Sequence, residues 1–254
     1  MRGFSLVELI VTLALLSILA IGSSRFLLDA TDGYAATNKR IELAGFGTTV
    51  LELAHRELSS ALPLSTRISS DGKCIEWIPV VDGGRYGIAP IGYSATSLEV
   101  LGLDAVTGQR LAIPGPGLYG LSNPGGISPA VATSSATLTD ERLVTLTAAH
   151  EFLNSSPGHR IYAIAEPESF CFADARLWHY TGYGFTTAQL SSASLPSALP
   201  ERVLLAADVD VASSSFAQGA PSLARNGLIN MTLVLDNRHA HVALERHINT
   251  RNVP

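Results

Sequence analysis

The chain begins MRGFSLVELIVTLALLSILAIGSS (residues 1–24), and this apolar stretch decides the fold that the sequence predicts. Between Phe4 and Ser24 it contains a single charged side chain, Glu8. As a helix, this segment spans about 31 Å at 1.5 Å per residue, which matches the hydrocarbon core of a bilayer. Thr12 and Ser17 can donate hydrogen bonds to the preceding turn, so their hydroxyls do not oppose insertion. The stretch therefore predicts one helix that enters a membrane.

A secretory signal peptide is the alternative explanation of this stretch, with Ala20-Ile21-Gly22 as its cleavage site. Two features argue against it: Arg2 is the only basic residue before the apolar run, and Glu8 lies inside that run. A charged side chain in lipid costs about 2.5–3.5 kcal/mol on insertion scales. Glu8 therefore requires a partner, unless it lies near the headgroups and reaches the water from there.

The hexapeptide Gly3-Phe4-Ser5-Leu6-Val7-Glu8 resembles the prepilin peptidase motif of the type IV pilin and pseudopilin family. On that resemblance the leader, residues 1–3, is cut between Gly3 and Phe4, and the new terminal Phe4 is N-methylated. The Phe4 amine and the Glu8 carboxylate of a neighbouring subunit can then pair, which offsets the cost of placing either charge alone in low dielectric. This leader is shorter and less basic than is usual in the family, which leaves open a start codon upstream of Met1.

The helical pattern continues past the membrane segment, because residues 25–62 contain no proline and have apolar side chains at three- and four-residue steps. This apolar face consists of Leu43, Phe46, Val50, Leu53, Ala54, Leu58 and Ala61. Pro63 is expected to end the helix, and Gly22, Gly33, Gly45 and Gly47 to allow bending. The sequence thus predicts a membrane or filament-core segment over residues 4–28 and an amphipathic half over residues 29–63.

Residues 64–254 are predicted to form a β-rich domain, so the predicted fold is α+β: a long N-terminal helix packed on an antiparallel β-sheet domain, pilin-like. Alternation of apolar and polar residues indicates half-buried antiparallel strands. The predicted strands are 74–81, 98–103, 142–148, 160–165, 169–172, 177–180, 203–211, 228–235 and 241–248. Asp174-Ala175 is predicted to be a hairpin tip. Gly-, Pro- and Ser-rich residues 104–138 and 189–201 are predicted to be surface loops.

Cys74 and Cys171 are the two cysteines, and each lies in a predicted strand. If the domain is translocated, it folds in an oxidising compartment, where a disulfide between them is expected. A loop of that length stabilises the fold by at most about 4–5 kcal/mol through chain entropy. Two buried free thiols on core strands are the alternative.

Several motifs narrow the resemblance to the J-type minor pseudopilins. They are LELAHRELSSALP (51–63), CIEWIPVV (74–81) followed by Arg85-Tyr86, SFC (169–171), LWHYTGYGF (177–185) and HVALERHINTRNVP (241–254). In combination they look most like the MshO-type minor pilins of the MSHA (mannose-sensitive haemagglutinin) pilus system. The resemblance implies a low-abundance subunit of a cell-envelope filament, in a tip or initiation complex with other minor pilins.

Other kinds of chemistry have weaker support in the sequence. A net charge of −5 offers no basic footprint for nucleic acid. The run Gly115–Gly120 matches G-x-G-x-x-G, but Pro114 and Pro116 prevent the helix that a dinucleotide site needs, so a turn is expected. His239 and His241, with His247 nearby, fall short of the convergent ligands that a metal requires. We therefore expect no cofactor, no metal and no catalytic residue.

The predicted function is that of a minor pilin or pseudopilin, held in the inner membrane by a single span with its C-terminal domain in the periplasm. Its expected partners are prepilin peptidase, the membrane, and other pilin and minor pilin subunits that bind through the N-terminal helix. A J-type pseudopilin of a type II secretion system, a major adhesive pilin and a periplasmic enzyme on an uncleaved anchor are the alternatives. Gly3 and Glu8 argue against the enzyme, because a plain anchor needs neither.

Overall fold

The computed structural model describes residues 6–104, 107–120, 123–136, 140–219, 227–237 and 240–250. One 54-residue helix, α1 (Leu6–Ser59), is followed by strands β1 to β14. The strands are β1 (Arg67–Ile68), β2 (Cys74–Trp77), β3 (Val80–Tyr86), β4 (Ala95–Leu101), β5 (Arg110–Ala112), β6 (Ile127–Ala136), β7 (Glu141–His150), β8 (Arg160–Ile164), β9 (Glu168–Ala173), β10 (Arg176–Tyr180), β11 (Arg202–Ala206), β12 (Ser215–Gln218), β13 (Gly227–Asn237) and β14 (Ala240–Thr250).

The strands form three units, and all their pairings are antiparallel. One sheet has the order β1-β2-β9-β10-β11, and a second has the order β12-β13-β14. The remaining six strands close into a barrel in the order β3-β4-β7-β6-β5-β8. A long N-terminal helix followed by antiparallel sheets confirms the predicted α+β, pilin-like architecture.

The C-terminal half of α1 packs on the two open sheets, and together they form the helix–sheet body. Its core contains the helix residues Leu43, Val50, Ala54 and Leu58 with side chains from β2, β9, β10, β12, β13 and β14. These helix residues lie on the predicted apolar face, because three- and four-residue steps place them on one side of the helix. Phe46 was also predicted there, but its side chain is 44% exposed.

The helix ends at Ser59, which is earlier than the predicted end at Pro63. The chain leaves the helix because its backbone finds other partners: Leu62 N–H donates to the Ile78 carbonyl at 2.8 Å, and Ala61 forms an isolated bridge with Pro79. Pro79 also divides the strand predicted over residues 74–81 into β2 and β3, since proline has no N–H to donate to a ladder.

The barrel is an insertion between two neighbouring strands of the helix–sheet body. β2 and β9 pair directly, with Cys74 opposite Cys171, and the chain between them forms β3 to β8. The barrel has its own core, which includes Leu98, Val100 and Leu111. A third cluster, which includes Leu62, Ile78, Leu118 and Ile164, packs at the junction between the barrel and the helix–sheet body.

The prediction of a surface loop over residues 104–138 is wrong for its described part, because β5 and β6 lie in it. Ile127 and Val131 of β6 are buried, although the strand is otherwise rich in Ser, Pro and Ala. The buried Ser128 hydroxyl accepts a hydrogen bond from Leu111 N–H at 2.9 Å, so this polar residue serves the sheet. Residues 127–136 therefore have a composition typical of loops, but they form a strand because β5 and β7 pair with them in the closed barrel.

The second predicted surface loop, residues 189–201, belongs to a longer segment that we name the strap, residues 181–201. The strap contains no strand, and its ends meet where Thr181 N–H donates to the Glu201 carbonyl at 2.8 Å. Leu195 is only 6% exposed, and Leu190 packs against the same buried cluster. The strap is therefore a surface loop, as predicted for residues 189–201, and its buried Leu195 packs it against a sheet face.

The hairpin predicted at Asp174-Ala175 is confirmed. Ala173 of β9 pairs with Arg176 of β10, which leaves those two residues as the turn. Both have positive φ, 53° and 56°, as a two-residue type I′ hairpin turn requires.

Candidate assembly surface

The first half of α1 exposes an apolar surface along its whole described length. Its most apolar 18-residue window has a mean hydropathy of 2.3, and none of that window is buried. Large apolar side chains from Leu6 to Leu28 are at least half exposed on every side of the helix. By length and composition α1 can cross a membrane, and its apolar surface requires either lipid or other protein.

The hydroxyl groups within this surface are satisfied inside the helix. Thr12 Oγ1 donates to the Leu9 carbonyl at 2.9 Å, and Ser17 Oγ donates to the Leu13 carbonyl at 2.7 Å. These bonds confirm the prediction that both hydroxyls can bond to the preceding turn. Consequently, these two hydroxyls enter an apolar environment without an unmet hydrogen bond.

Glu8 is the acidic residue in the first turn of α1, and its side chain is exposed. Among the described residues, none makes a hydrogen bond or an ion pair with it. Gly3 and Phe4, the predicted processing residues, lie outside the described residues. The carboxylate therefore lies at the N-terminal end of an apolar helix, where a positive charge on another chain can reach it.

The apolar half is separated from the helix–sheet body by an exposed stretch of helix. The side chains of residues 30–38 are exposed, and α1 runs through them without a break. The first buried side chain is that of Leu43. The helix from Leu6 to that point projects about 55 Å from the body at 1.5 Å per residue. Other subunits therefore have access to α1 from every direction.

Cys74 and Cys171 form a disulfide that joins β2 to β9, with their Cα atoms 4.2 Å apart. Both residues are buried, in one cluster with Tyr180 and Leu195. The disulfide links the strand that precedes the barrel, β2, to the strand that follows it, β9, so it joins the two ends of the inserted segment.

The remaining motifs lie in ordinary structural settings. The Gly115–Gly120 run is a turn beside a cleft of about 550 Å³ whose lining includes Leu64, Leu118 and Tyr119. His247 Nδ1 lies 2.6 Å from Asn230 Oδ1, and His241 Nδ1 lies 3.6 Å from Asp236 Oδ2. His239 lies outside the described residues. Within the part of the chain that the structure describes, no group of three His, Cys, Asp or Glu residues converges as a metal site.

Sequence reasoning missed a buried ion pair between Arg67 and Glu76. The Arg67 Nε and Nη2 atoms lie 2.7 Å and 2.6 Å from Glu76 Oε1, and the Glu76 side chain is fully buried. Burial raises the pKa of the Glu76 carboxyl, and the Arg67 guanidinium opposes that rise. The one available signal was an acidic residue between apolar neighbours in the strand Cys74–Trp77, which predicts a buried partner of opposite charge.

Two tyrosines complete this polar cluster. The Tyr119 hydroxyl donates to the Ser65 carbonyl at 2.6 Å, and the Tyr183 hydroxyl lies 2.7 Å from Ser169 Oγ. Neither makes an aligned hydrogen bond to Glu76 Oε2, although both hydroxyls lower the Glu76 pKa. Burial, followed by the Glu76 charge, raises the pKa of each tyrosine, so both remain protonated. The cluster is a structural contact between separate segments.

Comparison with known proteins identifies the start of the chain. Residues 1–24 match the family model described as the prokaryotic N-terminal methylation motif. This match supports a type IV pilin-like or pseudopilin precursor, and the motif implies processing by prepilin peptidase and assembly with other pilins. The apolar helix and the motif are together consistent with membrane anchoring and incorporation into a pilus. No curated protein and no solved structure matches the chain.

Proposed function

We propose that the chain is a minor pilin, cut between Gly3 and Phe4, N-methylated at Phe4, and built into a type IV pilus of the MSHA kind. One observation carries the proposal: the methylation motif leads directly into an exposed apolar segment of α1, and Glu8 is the only charged side chain between Phe4 and Ser24. The projecting half of α1 would insert first in the inner membrane and then in the filament core. The strands and the barrel would remain in the periplasm and on the filament surface.

Glu8 has a defined role in this proposal. Its carboxylate pairs with the methylated Phe4 amine of the neighbouring subunit, so that neither charge is alone in low dielectric. The pairing sets the axial register of one helix against the next. This role is structural, and it assigns to the chain no catalytic residue, no cofactor and no metal.

The motifs shared with J-type minor pseudopilins and MshO-type minor pilins support a minor subunit over an abundant one. The inserted barrel also supports a minor subunit, since its added volume would hinder the packing of a subunit that is repeated along a whole filament. A J-type pseudopilin of a type II secretion system is the second candidate, and the same motifs support it.

N-terminal mass analysis of the full chain extracted from membranes tests the processing step. The expected product begins at Phe4 and carries one additional methyl group. A Gly3→Leu variant serves as the control and should retain residues 1–3. An intact Met1 in the native protein, or a cut near Gly22, would contradict the proposal.

A deletion strain distinguishes the two filament systems. For an MSHA-type minor pilin, deletion should abolish or sharply reduce surface pili and leave protein secretion unchanged. Loss of secreted proteins with normal surface pili would instead assign the chain to type II secretion. Complementation with the unaltered chain must restore whichever property was lost.

A further inference from the structure

The strap covers the disulfide and separates it from solvent. Cys171 is fully buried and Cys74 is 3% exposed. The strap residue Leu195 is buried in the same cluster, and Tyr183 and Leu190 pack against it. Both sulfur atoms therefore lie beneath a segment that contains no helix or strand of its own.

Arg67 holds the middle of the strap in place. Its Nη1 atom donates to the Thr187 carbonyl at 2.7 Å, and its Nη2 atom donates to the Thr186 carbonyl at 3.0 Å. Gln189 Nε2 donates in return to the carbonyls of Arg67 and Cys74, at 3.2 Å and 3.3 Å. Hydrogen bonds from a charged donor are stronger than neutral ones, so Arg67 contributes a large part of the attachment.

The Arg67 guanidinium is itself fixed from two other sides. Glu76 on β2 accepts its charge-assisted hydrogen bonds. The Tyr119 ring, from the barrel, lies under it with 3.8 Å between the guanidinium carbon and the ring centroid. Such a cation–π contact adds to the positioning of a desolvated arginine. One side chain thus joins the helix–sheet body, the barrel and the strap.

We propose that the strap is a cover that opens locally, with Arg67 as its latch, and that this opening controls thiol access to the Cys74–Cys171 disulfide. In exchange with dithiothreitol, one reagent thiolate attacks a protein sulfur and displaces the other protein sulfur as a thiolate. The second reagent thiol then resolves the mixed disulfide. The products are oxidised cyclic dithiothreitol and two protein thiols, a two-electron transfer. While the strap is closed, a reagent thiolate cannot reach either protein sulfur, so the reaction does not start.

The same geometry orders the steps of maturation. An oxidant faces the same barrier as a reductant, because formation of the bond also proceeds through a mixed disulfide with an external sulfur. Cys74 and Cys171 are therefore oxidised either before the strap closes or during its local opening. Once the strap has closed, the disulfide is protected. This inference does not depend on which filament the chain joins.

Local opening is physically reasonable for this segment. Residues 181–201 contribute no strand to any sheet, and side-chain contacts supply most of their attachment to the body. Segments of this kind open below the free energy of global unfolding, and they expose little surface when they do so. Reduction through local opening should therefore depend weakly on urea, whereas reduction through global unfolding rises steeply with urea.

The test measures the rate of disulfide reduction in the full chain in detergent micelles. Dithiothreitol is added, free thiols are trapped with iodoacetamide, and the products are counted by mass spectrometry. The double variant Arg67→Met/Glu76→Leu removes the latch without leaving an unpaired buried charge. Its reduction rate in the absence of urea should rise at least about tenfold, since a charged hydrogen bond contributes roughly that factor to an equilibrium. Gln189→Ala should give a smaller increase.

The matched control is Arg142→Met/Asp104→Leu, which removes an ion pair of the barrel, away from the strap. Its reduction rate should equal that of the native chain. The proposal fails if the native rate already equals that of an exposed disulfide. It also fails if the latch variants are reduced no faster than the native chain, or if the native rate rises steeply from zero urea. Amide exchange of strap residues, accelerated in the latch variant and not in the control, would support the proposal even if stability falls.

Discussion

Glu8 shows how one side chain constrains the use of a whole helix. The apolar neighbours from Leu6 to Ile21 would suit any membrane anchor, and only the carboxylate requires a specific partner. In the proposed function that partner carries a positive charge, so the carboxylate would specify the helix for assembly as well as for insertion.

Replacing Glu8 with Gln should abolish or strongly reduce incorporation into filaments, because the neutral amide cannot form an ion pair with a cationic amine and leaves its charge uncompensated in low dielectric. Immunoblotting of sheared filament fractions against membrane fractions measures this. Membrane insertion should be retained, since a neutral side chain lowers the cost of insertion. Thr12→Val is the matched control one turn away, and it should assemble normally. Normal assembly of the Gln variant would remove Glu8 from the mechanism.

His150 is a second residue whose environment predicts a measurable property. It is buried in the barrel, its Nε2 lies 3.2 Å from the Gly125 carbonyl, and its ring meets Phe152 edge-on. Burial lowers the pKa of the imidazole, while the Gly125 carbonyl and the Glu151 charge oppose that shift. The folded state therefore favours neutral His150.

The pH dependence follows from that direction. A base with a lowered folded pKa contributes its full stability above its ordinary pKa of 6.5 and loses it as the pH falls through the folded value. Between pH 7.5 and pH 5, the midpoint of urea unfolding should fall. In His150→Gln, whose amide can still donate to Gly125, that fall should be smaller. Equal pH dependence in both proteins would contradict the assignment.

At the scale of elements, Gly47 explains how closely α1 approaches the sheet. A Cβ atom there would lie 2.4 Å from Leu244 Cδ1 and 3.2 Å from Leu235 Cδ1, on β14 and β13. Sequence reasoning assigned Gly47 to helix bending. In the structure α1 is continuous through this position, and Gly47 gives the sheet side chains room to reach the helix backbone.

Gly47→Val should lower the free energy of unfolding by about 1–3 kcal/mol, because overpacking displaces Leu244 and Leu235. Gly45→Val is the matched control, since Gly45 has no atom within 4 Å of its Cβ position. The control should change stability by no more than about 0.5 kcal/mol. Urea unfolding followed by circular dichroism in detergent measures both variants. If both variants change the free energy of unfolding equally, helix propensity and not packing against the sheet determines the effect of Gly47→Val.

The elements also show where local patterns are sufficient. β13 and β10 were predicted nearly to their ends, since their alternation and the positive-φ turn before β10 are local features. β6 was missed because its residues resemble a loop until β5 and β7 pair with it on both sides.

At the scale of the whole molecule, the barrel and the helix–sheet body have separate cores that meet at one junction. Leu62 and Ile78 lie in that junction, and Arg67 crosses it to reach Tyr119. The chain's two tryptophans, Trp77 and Trp178, both lie in the helix–sheet body. Tryptophan fluorescence therefore reports on the body and not directly on the barrel.

Leu111→Ala, in the barrel core, should lower stability by about 2–5 kcal/mol. If the junction couples the two bodies, the tryptophan transition moves to lower urea together with the circular dichroism transition. Leu143→Ala, at a 37% exposed barrel position, is the control, and it should shift the tryptophan transition and the circular dichroism transition only slightly. A tryptophan transition that stays in place while circular dichroism splits into two steps would show that the bodies unfold independently.

The sequence by itself determined the processing motif, the helix with its apolar and amphipathic halves, and the antiparallel character of the strands, because these depend on residues close together in the chain. Tertiary structure alone decided that the barrel closes between β2 and β9, that the strap covers the disulfide, and that Glu76 is buried against Arg67. Each of these features joins segments that are far apart in the sequence; Cys74 and Cys171, for example, are separated by 97 positions. Periodicity predicts which face of a strand is buried, but the partner that buries it is chosen by packing in three dimensions.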